Sequence, residues 1–108
     1  MNHGDIRWYT FALPDKRRPV LILTRTSAIQ FLNSVTVAPV TTTIRDIPTE
    51  LLLDQEDGMF TECAVNLDNL QTVPKSNIGG LITALRTDQM MDVQEAISFA
   101  LEFDWIAI

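Results

Sequence analysis

Histidine and cysteine are almost missing from this chain, and each shortage removes a class of mechanism. The only histidine, His3, lies near the N-terminus, where residues tend to be poorly ordered, so we expect neither a histidine-based triad nor a histidine-led proton relay. The only cysteine, Cys63, cannot form an intrachain disulfide, and its position inside an apolar run favours a core residue over a nucleophile. Any catalysis therefore has to use other side chains.

Long apolar runs are also missing. No run approaches the roughly 20 residues that span a bilayer, and residues 1–5 lack the basic region and the apolar core of a signal peptide. The chain has 108 residues, of which 46% are apolar and 20% charged, which suits one domain with a core of its own. We therefore expect a single domain over residues 1–108, soluble and cytoplasmic, with no membrane partner.

Basic residues are few, but they are concentrated. The whole chain carries a net charge of −6, whereas the segment from residue 14 to residue 45 holds five bases and one acid, a local balance of +4. An acidic protein surface repels polyanions in general, and screening confines each charge to roughly 8–10 Å. The segment therefore predicts a local anion site rather than a protein that coats duplex DNA.

Most of the chain consists of short β-branched runs separated by turn residues. Pro39 falls inside one predicted strand, which favours an edge or a bulge there, and Asp57-Gly58 is a strong hairpin signal. We predict one helical turn over residues 26–32. The predicted strands cover residues 6–13, 20–24, 35–43, 49–53, 61–67, 70–73 and 78–85. The apolar run over residues 20–24 is continuous, which is typical of a strand buried on both faces.

The last segment changes to a helical period, with Thr87 or Asp88 as the expected N-cap. Short strands followed by one helix predict a mainly β fold, in which a strongly bent antiparallel sheet or partial barrel packs against a C-terminal helix. The apolar stripe of this helix comprises Met90, Val93, Ile97, Ala100 and Leu101.

Two clusters of polar residues stand at the ends of predicted strands. Arg17 and Arg18 precede Pro19, which restricts the preceding residue to an extended conformation, and a guanidinium offers paired donors to a phosphate. Thr41 begins a run of three threonines at the end of another strand. Taken singly, the first cluster fits a solvated basic loop equally well, and the second fits ordinary β-branched filler.

The order of these segments resembles the MazF/PemK family of type II toxin endoribonucleases. The resemblance rests on Gly4-Asp5-Ile6, then RRPVLILTR from residue 17, VTVAPVTTTIRDIPTE from residue 35 and AVNLDNLQTVPKSNIGGLI from residue 64. It covers nearly the whole chain. No single piece is diagnostic, whereas their joint order and spacing are specific.

The resemblance implies an SH3-like barrel, a homodimer and a cognate antitoxin. It also implies an endoribonuclease that cleaves single-stranded RNA at short sequences without a metal or other cofactor, by attack of the 2′-hydroxyl, leaving a 2′,3′-cyclic phosphate and a 5′-hydroxyl. Arg18 takes the place of the catalytic arginine and Thr41 that of the active-site threonine. The expected RNA-binding residues are Asp15, Lys16, Arg17, Thr42, Thr43, Arg45, Asp68 and Asn69.

The chain departs from the family pattern in two places. The first loop is only about four residues long, with Asp15 as its one acid, and Gln71 stands where relatives commonly have an arginine. These departures leave the general base and the cleaved sequence open.

Two other functions fit parts of the pattern. A non-enzymatic toxin resembling the CcdB gyrase poisons is the alternative, with Trp105, Ile106 and Ile108 as its apolar contact surface. An SH3-like adaptor ranks last, because proline-binding grooves display aromatic clusters and aromatic residues make up only 7% of this chain.

Overall fold

The computed structural model describes residues 1–10 and 16–103. The expected site residue Asp15 and the apolar residues Trp105, Ile106 and Ile108 lie outside the described residues. The described part is mainly β, with one long helix near its C-terminal end.

Seven strands form one antiparallel sheet in the order β4-β5-β3-β2-β1-β7, with β6 pairing to β3 as well. The elements are β1 (Asp5–Thr10), β2 (Arg17–Ile22), α1 (Thr26–Ile29), β3 (Ser34–Thr41), β4 (Glu50–Leu53), β5 (Cys63–Asn66), β6 (Gln71–Pro74), β7 (Ile78–Ala84) and α2 (Thr87–Ala100), with 3₁₀ turns at Gln55–Asp57 and Lys75–Asn77.

Apolar residues on both faces of the central strands curl this sheet. Successive side chains of a strand point to opposite faces. Accordingly, Leu21 packs in a main core with Val93 and Ala96 of α2, whereas Val20 and Ile22 pack in a second core with Tyr9 and other residues. The prediction of a strand buried on both faces is confirmed, and so is the predicted architecture of a curled antiparallel half-barrel with a C-terminal helix.

Pro39 occupies a break in the hydrogen-bonding partners of β3. On one side it pairs with Val20 of β2. On the other side, β6 pairs with β3 as far as Val37 and β5 begins to pair at Val40, so no strand among the described residues lies opposite Pro39 there. A residue without an N–H is tolerated there because the ladder needs no donor. At this break, β3 stops pairing with β6 and starts pairing with β5.

The connection between β4 and β5 is longer than the two-residue hairpin that an Asp-Gly pair often marks. The two strands do pair, but residues 54–62 join them through the Gln55–Asp57 turn rather than through a two-residue loop. Asp54 accepts the N–H of Glu56 with its side chain, and Gly58 ends the turn with φ +95°. The Asp-Gly signal therefore marks the end of a 3₁₀ turn, because glycine readily adopts positive φ.

Helix α2 packs on the sheet, but its cap differs from the prediction. Arg86 is the N-cap residue, and its N–H donates to Oε1 of Gln89 at 2.9 Å, so the prediction of Thr87 or Asp88 as the cap is wrong. A side-chain acceptor three residues ahead satisfies one free backbone donor, whatever the residue at the cap. Leu101, predicted in the buried stripe, is 49% exposed.

Candidate active site

A cleft of about 260 Å³ opens where β3 ends and β2 begins. It contains two guanidinium groups, one carboxylate, two amides and two threonine hydroxyls. Its lining residues are Arg18, Pro39, Val40, Thr41, Thr43, Arg45, Glu50, Asn66 and Asn69.

Strand pairing explains why Arg18 and Thr41 share this cleft although 23 positions separate them in the chain. The β2–β3 register pairs Val20 with Pro39, so the next residues outward on the same face are Arg18 and Thr41. Arg18 is exposed and Thr41 is half-buried. Arg18 forms no salt bridge with any described residue. Its charge is therefore available to an anion in the cleft.

The Thr41 hydroxyl is oriented by the backbone that follows it. Its Oγ1 accepts the N–H of Thr43 at 3.1 Å. A hydroxyl has one donor and two acceptor positions, so this bond leaves the hydroxyl hydrogen free to donate elsewhere. Thr41 can thus donate a hydrogen bond to a ligand in the cleft.

The loop over residues 42–49, called the β3–β4 loop here, brings two more residues to the cleft. Thr43 and Arg45 line it. Oε1 of Glu50 accepts the backbone N–H groups of both Arg45 and Asp46, each at 3.0 Å. Asp46 has φ +55°, a left-handed conformation that turns the chain sharply at this point.

The last residue of β5 and the short turn that follows it supply the two amides. Oδ1 of Asn66 accepts the N–H of Asp68 at 2.9 Å, and Oγ1 of the buried Thr49 donates to Oδ2 of Asp68 at 2.6 Å. Asn66 and Asn69 line the cleft, whereas Asp68 does not. Asp68 therefore fixes the turn that carries Asn69, a role the sequence analysis did not assign to it.

Arg17, expected beside Arg18 in an RNA site, has different neighbours. Its guanidinium lies 4.4 Å from the ring centroid of Trp8, and Trp8 in turn stacks on Phe60 with centroids 5.7 Å apart. Adjacent residues of a strand face opposite ways. Lys16 and Thr42 are exposed and do not line the cleft.

Four cleft residues were not predicted from the sequence: Pro39, Val40, Glu50 and Asn66. Pro39 and Val40 belong to the strand that ends at Thr41, so proximity in sequence was the available signal. Glu50 and Asn66 face each other in the β4–β5 register, at the strand ends nearest the cleft. Only the pairing of those strands brings them to Arg18, and no local pattern indicates it.

His3 and Cys63 both lie outside the cleft, and each has surroundings that fit a structural role. Nδ1 of His3 lies 3.0 Å from the carbonyl oxygen of Leu23. Cys63 is buried, and burial, with smaller effects of the Asp57 and Asp54 charges, raises the pKa of its thiol.

Within residues 1–10 and 16–103, no three side chains of His, Cys, Asp or Glu gather as metal ligands. No helix in the same ranges is long and apolar enough to cross a membrane.

Comparison with known proteins identifies the family of the chain. A sequence model of the family described as PemK-like, MazF-like toxin of type II toxin-antitoxin system matches residues 2–101. The chain belongs to the PemK/MazF toxin family. The expected family membership is therefore confirmed.

Similar proteins with known names and structures agree with this assignment. Endoribonuclease MazF3 of Mycobacterium tuberculosis is 44% identical over 92 residues, which cover 85% of this chain and 89% of that protein. The Probable endoribonuclease MazF5 of the same species is 33% identical, covering 92% and 91% of the two chains. The structure of the Mycobacterium tuberculosis toxin MazF-mt6 superposes with a TM-score of 0.85 at 40% identity, covering 94% of this chain and 99% of that one. These relatives favour the endoribonuclease over the gyrase-poison alternative.

Proposed function

We propose that this MazF-family endoribonuclease cleaves single-stranded RNA at short sequences by attack of the 2′-hydroxyl on the adjacent phosphorus. The products are a 2′,3′-cyclic phosphate and a 5′-hydroxyl, and no metal takes part. The observation that supports this most directly is the shared cleft of Arg18 and Thr41. An unpaired guanidinium and an oriented hydroxyl suit one phosphodiester.

In this reaction the nucleophile belongs to the substrate. The 2′-oxygen forms a bond to phosphorus, the bond from phosphorus to the 5′-oxygen breaks, the 2′-hydroxyl loses a proton and the leaving oxygen gains one. The protein has to align these atoms and stabilise the negative charge that develops on the phosphate oxygens. We assign Arg18 to charge stabilisation and Thr41 to a hydrogen bond with the phosphate or with the 2′-hydroxyl.

The remaining cleft residues suit the nucleotides that flank the cleaved bond. Arg45 is an exposed cation for a neighbouring phosphate. The amides of Asn66 and Asn69 suit base edges, which single-stranded RNA leaves open to hydrogen bonding. Thr43 also lines the cleft. In the proposal, Lys16, Arg17 and Thr42 contribute to RNA binding outside the cleft, Asp68 acts through the turn it fixes, and Asp15 is a further RNA-binding residue.

We also propose a homodimer and a cognate antitoxin as partners, and a cytoplasmic location. A groove of about 880 Å³ between α2 and β4 supports a dimer, since Met91 and Phe99 line it while 61% and 54% exposed. Among the structural neighbours is an endoribonuclease in complex with its cognate antitoxin from Mycobacterial species, with a TM-score of 0.84 at 24% identity. An acidic antitoxin segment would compete with RNA for the basic cleft.

The decisive experiment compares Arg18→Ala with Arg25→Ala on unstructured RNA in EDTA. Arg25 is an exposed arginine of the same basic segment that does not line the cleft. We expect the unaltered protein and Arg25→Ala to cut, and Arg18→Ala to lose cutting while keeping its circular dichroism spectrum. Mapping the 5′ ends of the fragments identifies the cleaved sequence. Cleavage by Arg18→Ala at the normal rate would refute the assignment, and gyrase inhibition without RNA cleavage would favour the alternative.

A further inference from the structure

The carboxylate of Glu50 fixes the backbone that carries Arg45. Its Oε1 accepts the N–H groups of Arg45 and Asp46, each at 3.0 Å, although both residues are exposed. A single side-chain oxygen thus accepts both N–H groups. Among the described residues, no other acceptor holds these two N–H groups.

The conformation of the β3–β4 loop needs such support. Asp46 has φ +55°, which is uncommon for a residue with a side chain and persists where the surroundings enforce it. The other hydrogen bonds of the loop lie at its ends. At the start the Thr43 N–H donates to Thr41, and at the end the Glu50 N–H donates to the Ile47 carbonyl while Thr49 bonds to Leu67 and Asp68. The middle of the loop therefore depends on the Glu50 side chain.

Glu50 itself is well anchored. It is half-buried at the first position of β4, opposite Asn66 of β5, and it lines the same cleft as Arg18 and Thr41. A carboxylate repels a phosphate bound in the same cleft, so the presence of Glu50 there calls for a separate structural reason. Its two bonds to the loop supply that reason.

We infer that Glu50 is a positioning residue for RNA binding, which holds the β3–β4 loop so that the Arg45 guanidinium meets a phosphate next to the cleaved one. This inference rests on the proposed function and deepens it, because it names the residue that orders the flanking phosphate contact. The role requires a hydrogen-bond acceptor at this position and does not require a charge. It acts through Arg45 and leaves Arg18 and Thr41 in place.

Three variants separate these requirements. Glu50→Gln keeps an oxygen acceptor in a side chain of the same length, Glu50→Ala removes it, and Glu62→Ala removes an exposed carboxylate that does not line the cleft. Binding is measured with RNA that contains the mapped cleavage sequence and has hydrogen in place of the reacting 2′-hydroxyl, and cleavage with saturating unmodified RNA.

We expect Glu50→Ala to bind RNA about five- to tenfold more weakly, with a salt dependence of log K reduced by about 0.7, the value for one lost phosphate contact on a single strand. The cleavage rate at saturating RNA should stay within about threefold of normal. Glu62→Ala should bind like the unaltered protein, and Glu50→Gln, which keeps the acceptor and loses the repelling charge, should bind at least as tightly. The double variant Glu50→Ala/Arg45→Ala should bind no more weakly than Arg45→Ala alone, because both changes remove the same contact.

Different results would overturn the inference. Equal loss of cleavage at saturating RNA in Glu50→Gln and Glu50→Ala would assign the carboxylate to proton transfer instead, and additive effects with Arg45→Ala would show that Glu50 acts independently. If Glu50→Ala fails to fold, Glu50→Asp, whose shorter side chain retracts the acceptor, takes its place in every measurement. Loss of cleavage in Arg18→Ala with normal binding by Glu50→Ala would reject this inference alone. Normal cleavage by Arg18→Ala would reject the proposed function.

Discussion

The hydroxyl oxygen of Thr41 accepts the backbone N–H of Thr43, which lies only two residues further along the chain. The same oxygen thus stabilises the start of the β3–β4 loop and points its hydrogen away from that bond. Thr41 is the last residue of β3, where it also pairs with Ala64 of β5. The Thr41 side chain therefore lies both at the end of β3 and in the proposed catalytic cleft.

Thr41→Val should lower the cleavage rate by about 100-fold, because it replaces the hydroxyl with a methyl group of similar size and removes one donor to the developing charge. Thr41→Ser retains the hydroxyl and should keep most of the activity. Single-turnover cleavage of saturating RNA measures both. If Thr41→Val cleaved as fast as Thr41→Ser, the hydroxyl would have no part in the chemistry.

Arg45→Ala should weaken RNA binding and reduce the salt dependence of log K by about 0.7, since one phosphate contact is lost. Arg25→Ala serves as the control because this exposed arginine does not line the cleft. Fluorescence titrations at several salt concentrations give both slopes. A slope unchanged by Arg45→Ala, or lowered equally by Arg25→Ala, would show that the field of the whole basic segment binds RNA and that no discrete contact exists.

The strands could be predicted from the sequence because their apolar and β-branched residues are local signals. The continuous run around Leu21 predicted a strand buried on both faces, and it packs against a core on each side. Strand limits differed from the prediction by up to three residues, as at β2, which begins at Arg17 rather than at Val20. Helix α2 begins where the N–H of Arg86 pairs with the side chain of Gln89. The residue type at the N-cap position did not determine this start.

The cleft could be predicted only in part, because its residues come from four separate segments. The family resemblance named Arg18 and Thr41, and strand register brings them to one face. No sequence pattern indicated Glu50, whose contribution depends on how the β3–β4 loop folds back. Arg17 was grouped with Arg18 by adjacency, whereas strand alternation and a contact with Trp8 separate the two.

Cys63 should react slowly with iodoacetamide in the folded protein at pH 8. Burial lowers access, and the raised pKa of the thiol keeps it protonated. We expect alkylation to be at least about tenfold slower than in the denatured chain, as measured by mass spectrometry. Equal rates in the two states would contradict the buried position.

The same pKa shift has a consequence for stability. Above about pH 8.5 the unfolded thiol ionises while the folded one stays protonated, so the unfolded state is favoured as the pH rises. The stability of the unaltered protein should therefore fall more steeply between pH 8 and pH 10 than that of Cys63→Ala. Denaturant titrations at each pH give both curves, and parallel curves would argue against a raised pKa.

Gly58→Ala should destabilise the protein, whereas Gly80→Ala should not. Gly58 has φ +95°, and a Cβ there would lie 2.6 Å from Oγ1 of Thr83, whose hydroxyl donates to the Asp57 carbonyl at 3.0 Å. Backbone strain and the contact together should cost about 1–3 kcal/mol. A Cβ at Gly80 meets nothing within 4 Å, so alanine there should be neutral or stabilise the strand by about 0.5 kcal/mol.

The double variant Gly58→Ala/Thr83→Ala separates the two causes. Removing the Thr83 side chain relieves the contact and leaves the positive φ, so any cost that remains relative to Thr83→Ala alone reports the backbone. We expect about half of the penalty to remain, measured from urea unfolding curves with equal m-values. Gly58 ends the turn that follows the Leu53–Cys63 end of the β4–β5 pair, whereas Glu50 and Asn66 pair at the opposite end, so Gly58→Ala should lower cleavage only as far as it lowers the folded fraction. A large loss of activity in fully folded protein would mean that this turn also shapes the cleft.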